Sequence, residues 1–273
     1  MATLDVPGAR LHCQVSGDGP PLLLLCGNTG DADAFQFIAE PLAERYTVIA
    51  YDPRGNSRSE LLVEPGPQTV RERADDAMRV LDALTDQPAF VFGSSGGAVT
   101  ALELLSREPD RARLVIAHEP PMFEVLPDAA EHRELFDTVH RTYERDGVDA
   151  AMNQFIAAIG MPQQEAPSAE ALPPAIGEMF QRMRANAGFF LAHELLQVVG
   201  YQPDVAALTK NADRLVFGVG ATSRRFRPAF PAILLTPHTG AELVEFAGSH
   251  AGYLDAAEPF AATLLAVLAE HGG

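Results

Sequence analysis

Short, dense apolar runs alternate along this chain with longer stretches whose apolar residues recur at helical spacing. Residues 11–16 predict an early strand, closed by the turn-forming Gly17-Asp18-Gly19-Pro20-Pro21. Leu22-Leu23-Leu24-Leu25 carries no polar alternation, so residues 22–26 predict a strand buried on both faces, with Gly27-Asn28-Thr29-Gly30 as the loop after it. Residues 35–45 predict a helix and residues 47–51 a strand, followed by the turn Asp52-Pro53-Arg54-Gly55-Asn56-Ser57. Over residues 69–85, Val70, Ala74, Ala77, Met78, Leu81 and Leu84 mark one face of a helix, with charges between them. Ala89-Phe90-Val91-Phe92 predicts a strand, residues 98–105 a helix, and residues 114–118 another strand.

The pattern changes after Glu119. Helical segments over 129–145, 148–159 and 171–199 follow one another without strands, separated by proline breaks at Pro120-Pro121, from Pro162 to Pro167, and at Pro173-Pro174. Strand signals return at 214–219 and 242–246, and a last helix spans about 256–271. Such alternation predicts an α/β fold, a mostly parallel sheet covered by helices on both faces. The strandless stretch reads as a helical cap, giving a core of residues 1–119 and 204–273 and a cap of residues 120–203.

Charge narrows the partners. A net charge of −17 and a pI near 4.8 repel phosphate backbones and anionic lipids, so a small-molecule substrate is expected and neither nucleic acid nor a membrane. No apolar run approaches the roughly 20 residues that cross a bilayer, and the first residues show no basic segment leading into an apolar one, so a cytoplasmic location is expected. Cys13 and Cys26 form neither a disulfide framework nor a metal-ligand spacing, and the eight histidines include no H-x-H or H-E-x-x-H pair. No metal and no cofactor is expected. Oligomeric state is left open, a homodimer included.

The chemistry is concentrated in Gly93-Ser94-Ser95-Gly96-Gly97, between a predicted strand and a predicted helix. A sharp strand-to-helix turn lifts its middle serine above the sheet edge, and flanking glycines relieve the crowding, so Ser95 is the candidate nucleophile. A serine hydroxyl needs a base. His250, in Gly248-Ser249-His250-Ala251-Gly252-Tyr253, follows the last predicted strand and can meet Ser95 at the shared edge of a parallel sheet. The plainer reading is a loop histidine bonded to backbone.

Taken together, Leu25-Cys26-Gly27-Asn28, the segment from Tyr51 to Ser57, the Ser95 turn and the His250 loop resemble the α/β-hydrolase superfamily in content and order. The resemblance implies an eight-stranded, mostly parallel sheet with a helical cap inserted after the sixth strand, over a pocket. It also implies an oxyanion hole made by the backbone N–H groups of Asn28 and Gly96. Many relatives have histidine at the position of Cys26, which reads here as a small buried thiol. Relatives often carry the triad acid after the strand represented by residues 214–219, yet residues 214–241 contain neither Asp nor Glu. Glu119, directly after the strand at 114–118, is the substitute; its alternative is an ion pair with Arg224, Arg225 or Arg227. His118, Phe155 and Phe189 are candidate substrate contacts, set against ordinary packing. Asp52 and Arg54 read as turn-fixing residues.

These residues lead to an expected serine hydrolase that cleaves a small to medium, mainly apolar ester or lactone through an acyl-enzyme. Hydrolysis of a carbon–carbon bond on the same triad, and a non-catalytic ligand-binding protein that kept the fold, are the alternatives.

Overall fold

A computed structural model describes residues 2–162 and 172–271 of the chain. Nine strands form one sheet: β1 (Ala2–Val6), β2 (Ala9–Ser16), β3 (Pro21–Leu25), β4 (Thr47–Tyr51), β5 (Glu60–Leu61), β6 (Ala89–Ser94), β7 (Ala112–His118), β8 (Leu215–Gly220) and β9 (Glu242–Phe246). Eight lie along one path in the order β1-β2-β4-β3-β6-β7-β8-β9, and the two-residue β5 pairs with β2 at its side. From β4 to β9 all pairings are parallel, while β1, β2 and β5 pair antiparallel. The chain adopts the expected α/β architecture, a mostly parallel sheet with eight strands along its path and the short β5 as a ninth at its side. Every residue of β3, β6 and β8 is buried, as their apolar sequences, broken only by Ser94 at the end of β6, require of strands covered on both faces.

Eleven helices accompany the sheet among the described residues: α1 (Gln36–Ala43), α2 (Val70–Leu84), α3 (Gly96–Arg107), α4 (Ala129–Asp146), α5 (Val148–Ala158), α6 (Pro174–Phe189), α7 (Leu195–Val199), α8 (Val205–Lys210), α9 (Phe230–Thr239), α10 (Gly252–Asp255) and α11 (Ala257–Glu270). The two-residue period of β3 divides the core. Leu23 and Leu25 face a layer that includes α2, α3 and α9, whereas Leu22 and Leu24 face one built from α1 and α11. Among the described residues no helix is long and apolar enough to cross a membrane.

Helices α4 to α7 leave the sheet after β7, the sixth strand along the path, and pack around their own cluster of Phe123, Phe136, Val139, Phe190, Leu191 and Leu195. Helical spacing across 171–199 predicts one helix. The structure instead has α6 from Pro174, a π-helical turn at Phe190–Glu194, and then α7. Ala171 and nearly all of the proline break from 162 to 167 fall outside the described residues. One polar face of α6 seats this insertion on the core. Arg182 donates to Asp31 (2.6 Å) and Asp33 (2.5 Å), and Asn186 donates to the Thr29 carbonyl (3.0 Å) while accepting from the Ser57 N–H (2.8 Å).

Elements without a clear periodic signal are additional. β1 buries only Val6, so its sequence shows no strand alternation. α9 holds Pro231 in its first turn, where a missing N–H is tolerated, and Pro237 near its end; these prolines hide the helix in the sequence.

Candidate active site

Strand β6 ends at Ser94, α3 begins at Gly96, and Ser95 between them has φ 54° and ψ −122°. A non-glycine residue held there costs about 1–3 kcal/mol, which the surrounding packing must offset. The glycines permit that packing: a Cβ on Gly93 would stand 2.4 Å from the Gly97 carbonyl oxygen, and one on Gly97 would stand 2.1 Å from that of Leu25. Helix α3 therefore presses against β3 and β6 at a distance no other residue allows.

Glu119 repeats this arrangement one strand over. Ser94 pairs in register with His118, so Ser95 and Glu119 are the next residues of adjacent parallel strands. Glu119 also has positive φ, 48°. The Ser95 N–H donates to the His118 carbonyl (2.9 Å) and the Glu119 N–H to that of Gly218 (3.0 Å).

His250 comes from the loop after β9, and its Nδ1 donates to Glu119 Oε2 at 2.5 Å. That bond fixes the tautomer and leaves Nε2 as the nitrogen able to accept a proton. Glu119 is fully buried, and its Oε1 accepts from the Gly220 N–H (2.8 Å) and the Ser223 hydroxyl (2.5 Å). Burial by itself would raise the carboxyl's pKa. The hydrogen bond and charge of His250, with the Ser223 hydroxyl, outweigh that and hold it down at about 2. Ser223 is also fully buried. The end of β8 and the loop after it, a stretch that carries no acid of its own, thus supply hydrogen-bond donors to an acid that sits one strand away. The arginines turn elsewhere: Arg224 to Glu245 (3.4 Å), Arg225 over the Phe226 ring (5.1 Å), and Arg227 to the Ala158 carbonyl (2.7 Å).

Gly96 is the first residue of α3, where helical N–H groups have no partner within the helix. Asn28 lies beside it: a Cβ placed on Gly96 would come within 1.7 Å of Asn28 Oδ1. The Asn28 amide donates to Glu194 Oε2 of the insertion (2.9 Å). Cys26 is buried, and burial pushes its thiol well above the usual range, so it stays protonated. Asp52 accepts from the Ala32 N–H (2.9 Å) and from Arg58 (2.7 Å), and Arg54 forms a bidentate pair with Asp76 (2.6 and 2.7 Å); both hold loops.

Ser95, His250 and Asn28 face a cavity of about 210 Å³. Its upper wall comes from the insertion and includes Met152, Phe155, Met183, Phe190, Val198 and Val199. A larger depression of about 500 Å³, bordered by Glu124, Arg133 and Gln202, contains none of the three. Phe155 lines the small cavity, but His118 and Phe189 do not. His118 is sealed among Phe92, Phe246 and Phe260 below the site, and that burial lowers its pKa to about 4 and keeps the ring neutral. Phe189 packs on Gly55 and the His193 ring, at the seam between insertion and core.

Two polar residues of the site escape a reading of the sequence. Ser223 is one hydroxyl in a loop rich in small and polar residues. Glu194 left a faint signal as a lone acid within Phe189-Phe190-Leu191-Ala192-His193-Glu194-Leu195-Leu196.

A sequence profile described as the alpha/beta hydrolase fold matches residues 20–158. The chain is 35% identical over 256 residues to an uncharacterized hydrolase, YraK, of Bacillus subtilis (strain 168), covering 92% of this chain and 89% of that one. A thermophilic esterase from Thermogutta terrifontis superposes with a TM-score of 0.76 at 21% identity, covering 98% of this chain and 97% of the other. The enol-lactonase from Burkholderia xenovorans LB400 does so with a TM-score of 0.71 at 19% identity, over 98% and 100%. At such identities the two structures speak for the fold alone. The profile and the full-length relative speak for kinship: this chain belongs to the α/β-hydrolase fold family and is an enzyme of the hydrolase type.

Proposed function

We propose that this enzyme is a serine hydrolase acting on a small to medium, mainly apolar ester or lactone through an acyl-enzyme. The observation that carries this reading is the 2.5 Å bond between His250 Nδ1 and Glu119 Oε2, beside a cavity that Ser95 and His250 both line. His250 Nε2 takes the Ser95 proton as Oγ attacks the carbonyl carbon. The carbonyl π electrons move to oxygen, and the N–H groups of Asn28 and Gly96 hold that oxyanion. Collapse expels the alcohol oxygen, which takes the proton from the imidazolium. Water, deprotonated by the same nitrogen, then attacks the acyl-enzyme and releases the acid. Glu119 stays ionised throughout and stabilises the imidazolium.

Substrate size follows from the walls. A cavity near 210 Å³ with thioether, aromatic and valine side chains overhead favours an uncharged acyl group of modest length. In this reading residues 1–119 and 204–273 are the catalytic core and residues 120–203 the cap. The full-length relative, itself described as a hydrolase, supports hydrolysis as the reaction type.

The test is incubation with a short-chain p-nitrophenyl ester and, separately, with a serine-directed fluorophosphonate. Turnover, a single mass adduct on Ser95 and loss of both in Ser95→Ala are expected. Absence of both turnover and adduct in the unaltered enzyme would remove the proposal.

A further inference from the structure

Glu194 is a buried carboxylate that the mechanism does not use. It sits at the end of the π-helical turn, 1% exposed, far in sequence from everything it touches. Its Oε2 accepts from the Asn28 amide (2.9 Å) and its Oε1 from that of Asn56 (3.0 Å), while Arg73 Nη1 stands 3.5 Å from Oε2. One side chain thus joins the cap, the loop after β3, the loop after β4 and helix α2. Single π turns within helices are frequent at functional sites. Nearby, the Gln68 N–H donates to the His193 carbonyl (2.8 Å), so the turn itself is tied to the core.

Asn28 is gripped at both ends. Its amide is on Glu194, and its carbonyl oxygen lies against the Cα of Gly96, where no side chain would fit. The two residues whose N–H groups are assigned to the oxyanion are thereby locked together by a group from the cap. We propose that Glu194 is a positioning residue for the oxyanion hole, setting the relation between the Asn28 and Gly96 donors so that their alignment depends on a seated cap. This inference rests on the serine-hydrolase reading above.

The test compares Glu194→Gln with the unaltered enzyme. Glutamine keeps the shape but offers one acceptor oxygen where two amides now donate, and it turns an N–H₂ group toward one of them. The readout is kcat and KM on the p-nitrophenyl ester, with inhibition by an aliphatic trifluoromethyl ketone. That ketone accepts Ser95 Oγ at its carbonyl carbon and leaves an oxyanion in the hole, the serine proton passing to His250. Removing an oxyanion donor costs about 10²–10³ in kcat, so displacing one is expected to cost about ten- to a hundredfold. KM should stay within about threefold, and the ketone's inhibition constant should rise by the same factor as kcat falls.

A folded Glu194→Gln enzyme with kcat and ketone affinity within twofold of the original overturns the proposal. So does a variant that loses binding of the product acid as much as binding of the ketone. If Glu194→Gln does not fold, Asn28→Ala decides: it keeps the backbone donor and removes the grip, and unchanged kcat would equally overturn the inference. The fluorophosphonate adduct separates the two ideas. Without it on the unaltered enzyme the parent reading falls; with it, and with unaltered variants, only the role of Glu194 falls.

Discussion

Ser95 and Glu119 leave neighbouring parallel strands in step, each the first residue past a register pair, Ser94 with His118, and each with left-handed backbone. The hydrogen-bonded ladder between β6 and β7 therefore sets the spacing of these two groups, and only His250 depends on a loop. Backbone strain at both positions fits a site whose geometry is held by its surroundings.

Replacing Glu119 by Gln tests the pairing. The glutamine oxygen must serve the Gly220 N–H and the Ser223 hydroxyl, which turns its N–H₂ toward His250 Nδ1 and forces the unproductive tautomer. A loss in kcat of about 10³–10⁴ is expected with the fold retained, as steady-state kinetics and circular dichroism would show. A variant with full activity would take Glu119 out of the mechanism.

Ser223→Ala removes one donor from the buried carboxylate while leaving Gly220 and His250 in place. Bonds to charged groups contribute about 1.5–3 kcal/mol, so a stability loss of that order is expected in urea titrations. Activity should fall far less than in Glu119→Gln, by about tenfold or less.

Acid stability carries a sign. The Glu119 carboxyl lies at about 2 in the folded protein against an ordinary 4.5, so the unfolded chain binds a proton the folded one does not. The stabilisation is complete above about pH 4.5 and is lost as pH falls toward about 2. Urea midpoints measured from about pH 5.5 to about pH 2.5 should drop more steeply for the unaltered enzyme than for Glu119→Gln. Equal slopes would contradict the linkage.

Phe155 packs on Phe136 and Phe190, with ring centroids 6.1 and 5.2 Å away, and closes part of the cavity. Phe155→Ala should shift the preferred acyl chain toward greater length. One or two methylenes are worth about 1–3 kcal/mol in such a pocket, so the ratio of kcat/KM for hexanoyl over acetyl esters should rise at least about tenfold. An unchanged ratio would show that this wall does not meet the acyl chain.

Much of this was legible in the residues. Unbroken apolar runs such as that of β3 identify buried parallel strands, and the glycines around Ser95 identify the elbow because steric closeness admits nothing else. The absence of acids from 214 to 241 points to Glu119, which the structure brings against His250. Less local features left no pattern. Ser223 meets Glu119 across 104 residues, and a hydroxyl donor has no periodicity. The π turn is invisible because Phe190 to Val199 still reads as apolar and helical. Aromatic content in the insertion indicates buried rings without saying which cavity they border, so Phe155 and Phe189 look alike in the sequence although one faces the pocket and the other faces Gly55.

The insertion has two distinct faces, one roofing the cavity with Met152, Phe155 and Met183, the other gripping the loops through Arg182, Asn186 and Glu194. Chimeras that trade this segment between relatives should therefore tolerate a new roof and resist a new grip. Diversification of substrate in such a lineage has an open route through the first set of positions, while the second ties the segment to its own host.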